Sequence, residues 1–410
     1  MTDFRAPKGT EDILPPDSQW WRDAHRIFDG LCERFGYGHT LTPIFEDTDV
    51  FARGVGGDTE VVEKQMYTFP DKGGRSLTLR PEATASIVRA MIQAGGVQTT
   101  FKGACWGPMF RYERPQKGRN RQFYQADIEY LGSSSPEADV EVIELGWRFL
   151  EALGIEQVEL RLNSIGDPED RVEYRNEIVA FLRSREEQLS ADARRRIDTN
   201  PMRVLDSKAD VDVVADAPVP IDYLGAAAAE HFAGVRSGLD DLGIPYVIHP
   251  RLVRGLDYYN RTVWEYVPRS YDAAQSSVGG GGRYDGLFEV LGGKPTPGVG
   301  LAMGIDRIRL AAPAVEVDSA LDAFVIAASE DDRPRARKLT SELRRAGLRV
   351  DMTDRARPMK AQFKEADRSG AASAVIVGSE WNDGVATVKR LATGEQVEVA
   401  VKEIESWLRA

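Results

Sequence analysis

Arg111-Tyr112-Glu113-Arg114-Pro115-Gln116-Lys117-Gly118-Arg119-Asn120-Arg121 sets five basic side chains against one acid, in a 410-residue chain of net charge −12. Apolar residues flank it, Met109-Phe110 before and Phe123-Tyr124 after, with Pro115 and Gly118 inside. That pattern predicts a strand, a loop and a second strand. Guanidinium forks match phosphate oxygens, so such a loop suits a polyphosphate or a nucleic-acid backbone. A charge run alone is more often a solvated loop, so this reading depends on the segments around it.

Outward from the loop, the length calls for two or three domains. A 42% hydrophobic and 29% charged composition describes a globular protein. No apolar run approaches the roughly 20 residues that cross a membrane, and the polar N-terminus lacks a secretory apolar core. Two cysteines, Cys32 and Cys105, make neither a disulfide framework nor a zinc cage, which fits a reducing cytoplasm. The acidic balance argues against a general nucleic-acid coat but leaves room for a local site. Residues 321–410 hold 16 basic and 15 acidic side chains, a net +1, so the preceding 320 carry −13. That contrast marks a separate module.

Apolar spacing predicts a helix over 17–35 ended by Gly36, and an alternating His39–Phe45 strand interrupted by Pro43. A short strand follows at Ser76–Arg80, then a Pro81–Ala94 helix opened by its proline. Phe123–Leu131 and Val158–Ile165 read as strands, with a helix over Val140–Leu153 between them. The charged, Ala-rich stretch 168–247 reads as a helical insertion. Beta character returns at 252–268 and at Gly279–Gly282, and a last helix is expected near Val299. The expected class is α+β, an antiparallel sheet with flanking helices. After Asp318 strands and helices alternate regularly, ending in a hairpin turned at Thr393-Gly394, which makes a small α/β domain.

Five further segments carry candidate chemistry. Thr78-Leu-Arg80-Pro81-Glu82-Ala83-Thr84 is a strand-to-helix turn, although a dipole-favoured acid would explain Glu82 cheaply. Gln125-Ala-Asp127-Ile-Glu129 puts three polar side chains on one strand face, either a solvent face or a pocket floor. Leu252-Val-Arg254-Gly-Leu-Asp257-Tyr258-Tyr259 offers charge and aromatic surface together. Ser276-Ser-Val-Gly279-Gly-Gly-Gly282-Arg283-Tyr284-Asp285-Gly286 admits close backbone approach but lacks the ending of a Walker loop. Pro297-Gly298-Val-Gly300-Leu-Ala-Met-Gly304-Ile-Asp306-Arg307 has glycines at the wrong interval for a dinucleotide fingerprint.

The order and wording of these segments resemble the class II aminoacyl-tRNA synthetases, and within them the histidine-specific family, over essentially the whole chain. The cationic run is similar to class II motif 2, Gly298–Arg307 to motif 3, and the region ending at Pro43 to the dimer-building motif 1. Leu252–Tyr259 and Gly280–Gly286 resemble the two stretches that mark the histidine enzymes, and Asn200-Pro-Met-Arg203-Val-Leu-Asp206-Ser-Lys208 matches within the insertion. The resemblance implies a catalytic core in two parts, 1–167 and 248–318, around the insertion at 168–247. An anticodon-binding domain would follow at 319–410.

It also implies a histidine–tRNA ligase: ATP and L-histidine form histidyl-adenylate and pyrophosphate, and histidine then passes to the 3′ end of histidine tRNA. Catalysis would fall to Arg254 and Arg111. Arg111 would grip the α-phosphate, Arg119 and Arg307 the outer phosphates, and Glu113 the adenine side. Mg²⁺ is expected on the β- and γ-phosphates, with no protein ligand assigned. Glu82, Thr84 and Gln125 would take the α-ammonium of histidine, and Glu129 and Tyr259 its imidazole. Tyr258 would form the wall, and Arg254 and Arg111 would face the carboxylate. Ala83 stands where the family commonly has glycine, and Asp127 is an added acid with no inherited role. Gln116, Lys117 and Arg121 are candidates for the tRNA acceptor stem. A cytoplasmic homodimer is expected. The rival is the synthetase-like regulatory subunit of ATP phosphoribosyltransferase in histidine biosynthesis.

Overall fold

The computed structural model describes residues 4–409 apart from 58, 60, 206, 208, 270–276 and 314–320. Ser276, Asp206, Lys208 and the expected boundary at 318 lie outside the described residues. The chain divides into two compact units, 1–314 and 315–410.

The first unit is built on an eight-stranded sheet. Its order is Gly38–His39, Phe101–Phe110, Gln122–Leu131, Gly298–Gly304, Gly279–Arg283, Asn260–Pro268, Val158–Ser164 and Tyr246–Ile248. The six inner strands are antiparallel, and each edge strand joins in parallel. Side chains alternate between the faces of a strand. One face therefore receives Ala126 and Ile128, Leu301 and Met303, Trp264 and Tyr266, and Leu160 and Leu162, all buried. Three helices cover that face. Ser18–Phe35 contributes Trp20, Ala24, Phe28, Leu31 and Cys32, Pro136–Ala152 contributes Ile143 and Phe149, and Ala226–Asp241 contributes Phe232, Val235 and Leu239. The first ends as expected at Gly36, whose φ of 77° suits glycine.

Four local expectations are corrected. Pro81 does not open the next helix, which spans Thr84–Gln93. Glu82, ahead of it, accepts from the N–H groups of Thr84 at 2.8 Å and Ala85 at 2.9 Å, satisfying donors that a helix start leaves open. Residues 252–259 are irregular, and the strand begins at Asn260. Gly298–Gly304 is a central strand, and the helix starts only at Ile305. Within 168–247, Tyr174, Ile178, Leu182, Leu189, Ile197 and Val214 form their own apolar cluster, whereas Phe232, Val235, Leu239 and Ile244 pack into the main core.

A second ordering device lies inside this core. Arg283, fully buried, is ion-paired to Asp139, itself fully buried, and bonds to the carbonyls of Ser133 at 2.8 Å and Ser135 at 3.1 Å. His231 meets the same carboxylate at 3.2 Å. Burial alone would raise Asp139, but Arg283 and His231 outweigh it and hold the carboxyl below its usual range.

The second unit is a five-stranded sheet ordered Val350–Met352, Leu321–Ala327, Ala371–Val377, Val385–Arg390 and Gln396–Ala400. The first three are parallel, and the last two form the expected hairpin, with Gly394 at φ 75°. Helix Arg333–Arg345 buries Ala336, Leu339 and Leu343 against the sheet.

Candidate active site

The sheet face opposite the helices carries the candidate residues. Gln125, Asp127 and Glu129 stand opposite Gly304, Ala302 and Gly300, the last two stand opposite Gly280 and Gly282, and these oppose Glu265 and Val263. Two strands almost without side chains thus leave a shallow floor bordered by acids on both sides. The glycines are required by contact. A methyl at Gly300 would collide with the Glu129 carboxylate, and one at Gly280 would sit 2.9 Å from Nη1 of Arg254. Arg254 therefore lies across the floor, ion-paired to Glu265. It is two strand spacings, about 10 Å, from the position of Asp127. Burial opposes the Arg254 charge, yet Glu265 and the neighbouring Tyr259 and Tyr258 hold its pKa above the usual value.

At one end of the floor Glu129, wholly buried, accepts from the Thr84 hydroxyl at 2.5 Å and from the Tyr284 hydroxyl. Burial pushes its carboxyl well above the ordinary range, those two donors pull it back, and Asp127 and Glu82 add to the rise. Tyr258 packs between Tyr259, 4.6 Å away by ring centroid, and Tyr284, 5.5 Å away, making an aromatic wall. Burial raises the pKa of all three phenols, so they remain hydrogen-bond donors.

At the other end Arg111 donates through Nε to the Pro81 carbonyl at 2.9 Å and stacks 5.3 Å over Phe123. Beside it Glu82 is lifted by burial, with its two backbone donors and Arg111 as partial compensation. Buried Ala83 packs with Ile87 and Val88.

The cationic loop connects Phe101–Phe110 to Gln122–Leu131, as the sequence predicts. Gln116 and Arg119 exchange backbone hydrogen bonds of 3.1 and 2.8 Å, turning the tip through Lys117 and Gly118, the latter at φ 73°. Helix Ile305–Ala311 fastens it: Arg307 Nε donates to the Gly118 carbonyl at 2.9 Å, and Asp306 accepts from Asn120 at 3.3 Å and from Tyr124 N–H at 2.8 Å. Arg119 pairs with Glu113 at 3.4 Å. Gln116 and Lys117 are exposed at the tip. Arg121 instead folds back, 3.8 Å over the Tyr112 ring and bonded to the Glu113 carbonyl at 3.2 Å.

The fold thus gathers residues from 82 to 307 on one sheet face. Sequence reasoning assigned no role to three members of the group, although Arg80 and Tyr284 lie in segments it singled out. Tyr284 bonds Glu129 from 155 positions away, Glu265 pairs with Arg254, and buried Arg80 is tied to the Pro108 carbonyl at 3.0 Å and to Thr42 Oγ1 at 3.2 Å. Period-two register opposite the glycines could have pointed to Glu265, whereas Arg80 and Tyr284 stand in flagged segments that do not disclose their partners.

The sheet, the strapped cationic loop and a separate α/β unit agree with the architecture of the class II aminoacyl-tRNA synthetases. Residues 9–308 match the family profile described as Histidyl-tRNA synthetase, and residues 322–410 the Anticodon binding domain. The chain is 45% identical to the "Histidine--tRNA ligase" of Geobacillus kaustophilus, covering 99% of this chain and 98% of the relative. It is 46% identical to that of Rhodospirillum rubrum, covering 100% and 99%. The solved apo histidyl-tRNA synthetase of S. aureus superposes with a TM-score of 0.82 at 35% identity over the full length of both chains. The chain belongs to the histidyl-tRNA synthetase family.

Proposed function

We propose that this chain, as a histidine–tRNA ligase, joins the carboxylate of L-histidine to the α-phosphorus of ATP on the floor between Arg111 and Arg254. A carboxylate oxygen attacks the α-phosphorus, the bond to the bridging oxygen breaks, and pyrophosphate leaves. The 3′-terminal ribose hydroxyl of histidine tRNA then attacks the acyl carbon and AMP departs. Both reactants are anionic, so fixed cations matter more here than a general base. The observation that carries this reading is Arg254 lying across the Gly280 floor, at the other edge from Asp127 and Arg111.

Arg307, which also donates to the Ser277 carbonyl at 3.2 Å, and Arg119 are assigned to the outer phosphates, and Glu113 to the adenine side. Glu82, Thr84 and Gln125 serve the amino end of histidine, with Ala83 behind them. Glu129 and Tyr259 serve the imidazole, and Tyr258 walls it. Among the described residues no three His, Cys, Asp or Glu side chains converge to hold a metal. Mg²⁺ is assigned to the β- and γ-phosphates with its waters, where one or two carboxylates would suffice to hold it, and no step is assigned to it. Gln116 and Lys117, exposed at the loop tip, and Arg121, which packs on Tyr112, are assigned to the acceptor stem. The 315–410 unit is the anticodon reader.

Exposed Leu41, Ile44, Phe45 and Phe69, on or beside the three-stranded sheet of Phe45–Asp47, Ser76–Leu79 and Tyr67–Pro70, support a homodimer through this surface. No helix among the described residues is long and apolar enough to cross a membrane, which agrees with a cytoplasmic enzyme. ATP–pyrophosphate exchange across the twenty amino acids, followed by charging of histidine tRNA, tests the reading. Exchange with histidine alone is expected, and exchange with none would leave the regulatory-subunit reading in its place.

A further inference from the structure

Asp127 is 1% exposed, and neither of its carboxylate oxygens has a hydrogen-bond partner among the described residues. Two positions along the same strand face, Gln125 is 8% exposed and its Oε1 is likewise unpartnered. Buried acceptors left unpaired are costly, and each such group in a folded protein calls for an explanation. The nearby cations do not supply one. Arg80 is bound to Pro108 and Thr42, and Arg111 sends Nε to Pro81. Glu129, about 7 Å further along the face, already accepts two hydroxyls.

We infer that Asp127 is a substrate-binding residue of this site, which with Gln125 accepts hydrogen bonds from the α-ammonium group of the amino-acid substrate. This rests on the proposed function and adds to it a residue that the family resemblance left without a role. An ammonium has three donors and a positive charge, matching a carboxylate and an amide oxygen on one strand face. The imidazole is less well matched, because its subsite lies at Glu129 and is already furnished with donors.

The surroundings of Asp127 agree with this assignment. Burial, with the Glu82 charge adding to it, lifts the Asp127 carboxyl well above its ordinary range, and Arg80 and Arg111 offset this only in part. Cys105, directly across the strand pair, brings no charge of its own, since burial pushes its thiol up to about 12. Glu129 is the remaining ionisable group that senses Asp127. An arriving ammonium reverses the balance and draws the proton off Asp127.

The test compares Asp127→Asn and Asp127→Ala with the unaltered chain by calorimetric binding of two probes. Histidinol keeps the ammonium, and 3-(imidazol-4-yl)propan-1-ol lacks it. Both variants are expected to lose about 10- to 100-fold in histidinol affinity, to change less than threefold toward the deamino probe, and to melt no lower than the parent. Undiminished histidinol binding, equal losses for both probes, or a melting point several degrees lower would each overturn the inference, the last two by making Asp127 a structural group. Histidine-dependent exchange by the unaltered chain is the separate control: its failure removes the ligase reading, while its success with unchanged variants removes only the role of Asp127.

Discussion

Asp139 and Asp127 are both withdrawn from solvent in the same unit, and they differ in almost everything else. Asp139 is surrounded by Arg283 and His231 and is held below the usual carboxylate range. Asp127 has no hydrogen-bond donor among the described residues and is held well above it. The first sits among the helices that cover one sheet face and stitches Pro136–Ala152 to Gly279–Arg283. The second sits on the open floor opposite. The protein thus spends buried charge in two ways: complete partnering where the purpose is to fix structure, and deliberate incompleteness where a ligand must supply the partner.

The largest effect that sharpens this contrast is on folding. Asp139→Asn takes from Arg283 its fully buried counter-charge and leaves only the more exposed Asp285, 3.1 Å away, and up to about 3–5 kcal/mol of stability should go. Denaturant unfolding of that variant beside Asp127→Asn measures it, and equal losses in the two would erase the distinction. The two carboxyls should also respond to acid with opposite sign. A depressed carboxyl contributes stability that is fully present above its unfolded pKa of about 3.9 and disappears as pH falls through the folded value. A raised carboxyl does the reverse, costing stability as pH rises from about 3.9 through the folded value. Asp139→Asn should therefore flatten the acid limb of the stability profile, and Asp127→Asn should flatten the decline above it.

Next in size is Arg254→Ala. Removing one preorganised cation from the developing charge on the α-phosphoryl group should lower histidine-dependent pyrophosphate exchange about 10²–10³-fold, roughly 3–4 kcal/mol. Histidine binding should remain measurable. A variant exchanging at near-parental rate would show that the cation lying over Gly280 does not touch the reacting atoms.

The faces of this sheet also differ in how far sequence discloses them. Alternation in Gln122–Leu131 announced both the apolar and the polar row, and the regular α/β spacing of the last ninety residues announced the second unit. Gly298–Gly304 was misread as helix because glycine carries no β-propensity of its own. It is a strand because it pairs on both sides, and position 300 is glycine because a side chain there would meet the Glu129 carboxylate, a requirement set by a neighbour 171 positions earlier. Ala226–Asp241 was assigned to the insertion because helical periodicity shows that a face is buried without saying against what. Residues 252–259 hold the Val-Arg-Gly-Leu-Asp-Tyr-Tyr signature without being a strand, since their side chains answer to the site and not to a ladder. The family wording located Arg254, but Glu265, its partner, is defined by register alone.

The smallest predicted effect probes the edge where complete and incomplete partnering meet. Tyr284 donates to Glu129 and shares the aromatic wall with Tyr258. Tyr284→Phe keeps the ring and removes one donor to a buried carboxyl, a change of about 1 kcal/mol, or roughly fivefold. Because that donor favours the charged form, its loss should carry the Glu129 carboxyl still higher. The acid limb of the pH profile for histidine KM should move to higher pH, while the KM for ATP stays where it was. If Tyr284 only packs, the phenylalanine ring replaces it and the two profiles superimpose. If it tunes Glu129, the profiles separate on the acid side alone, and Glu129 then stands between Asp139 and Asp127 as a carboxyl that is partnered but not saturated.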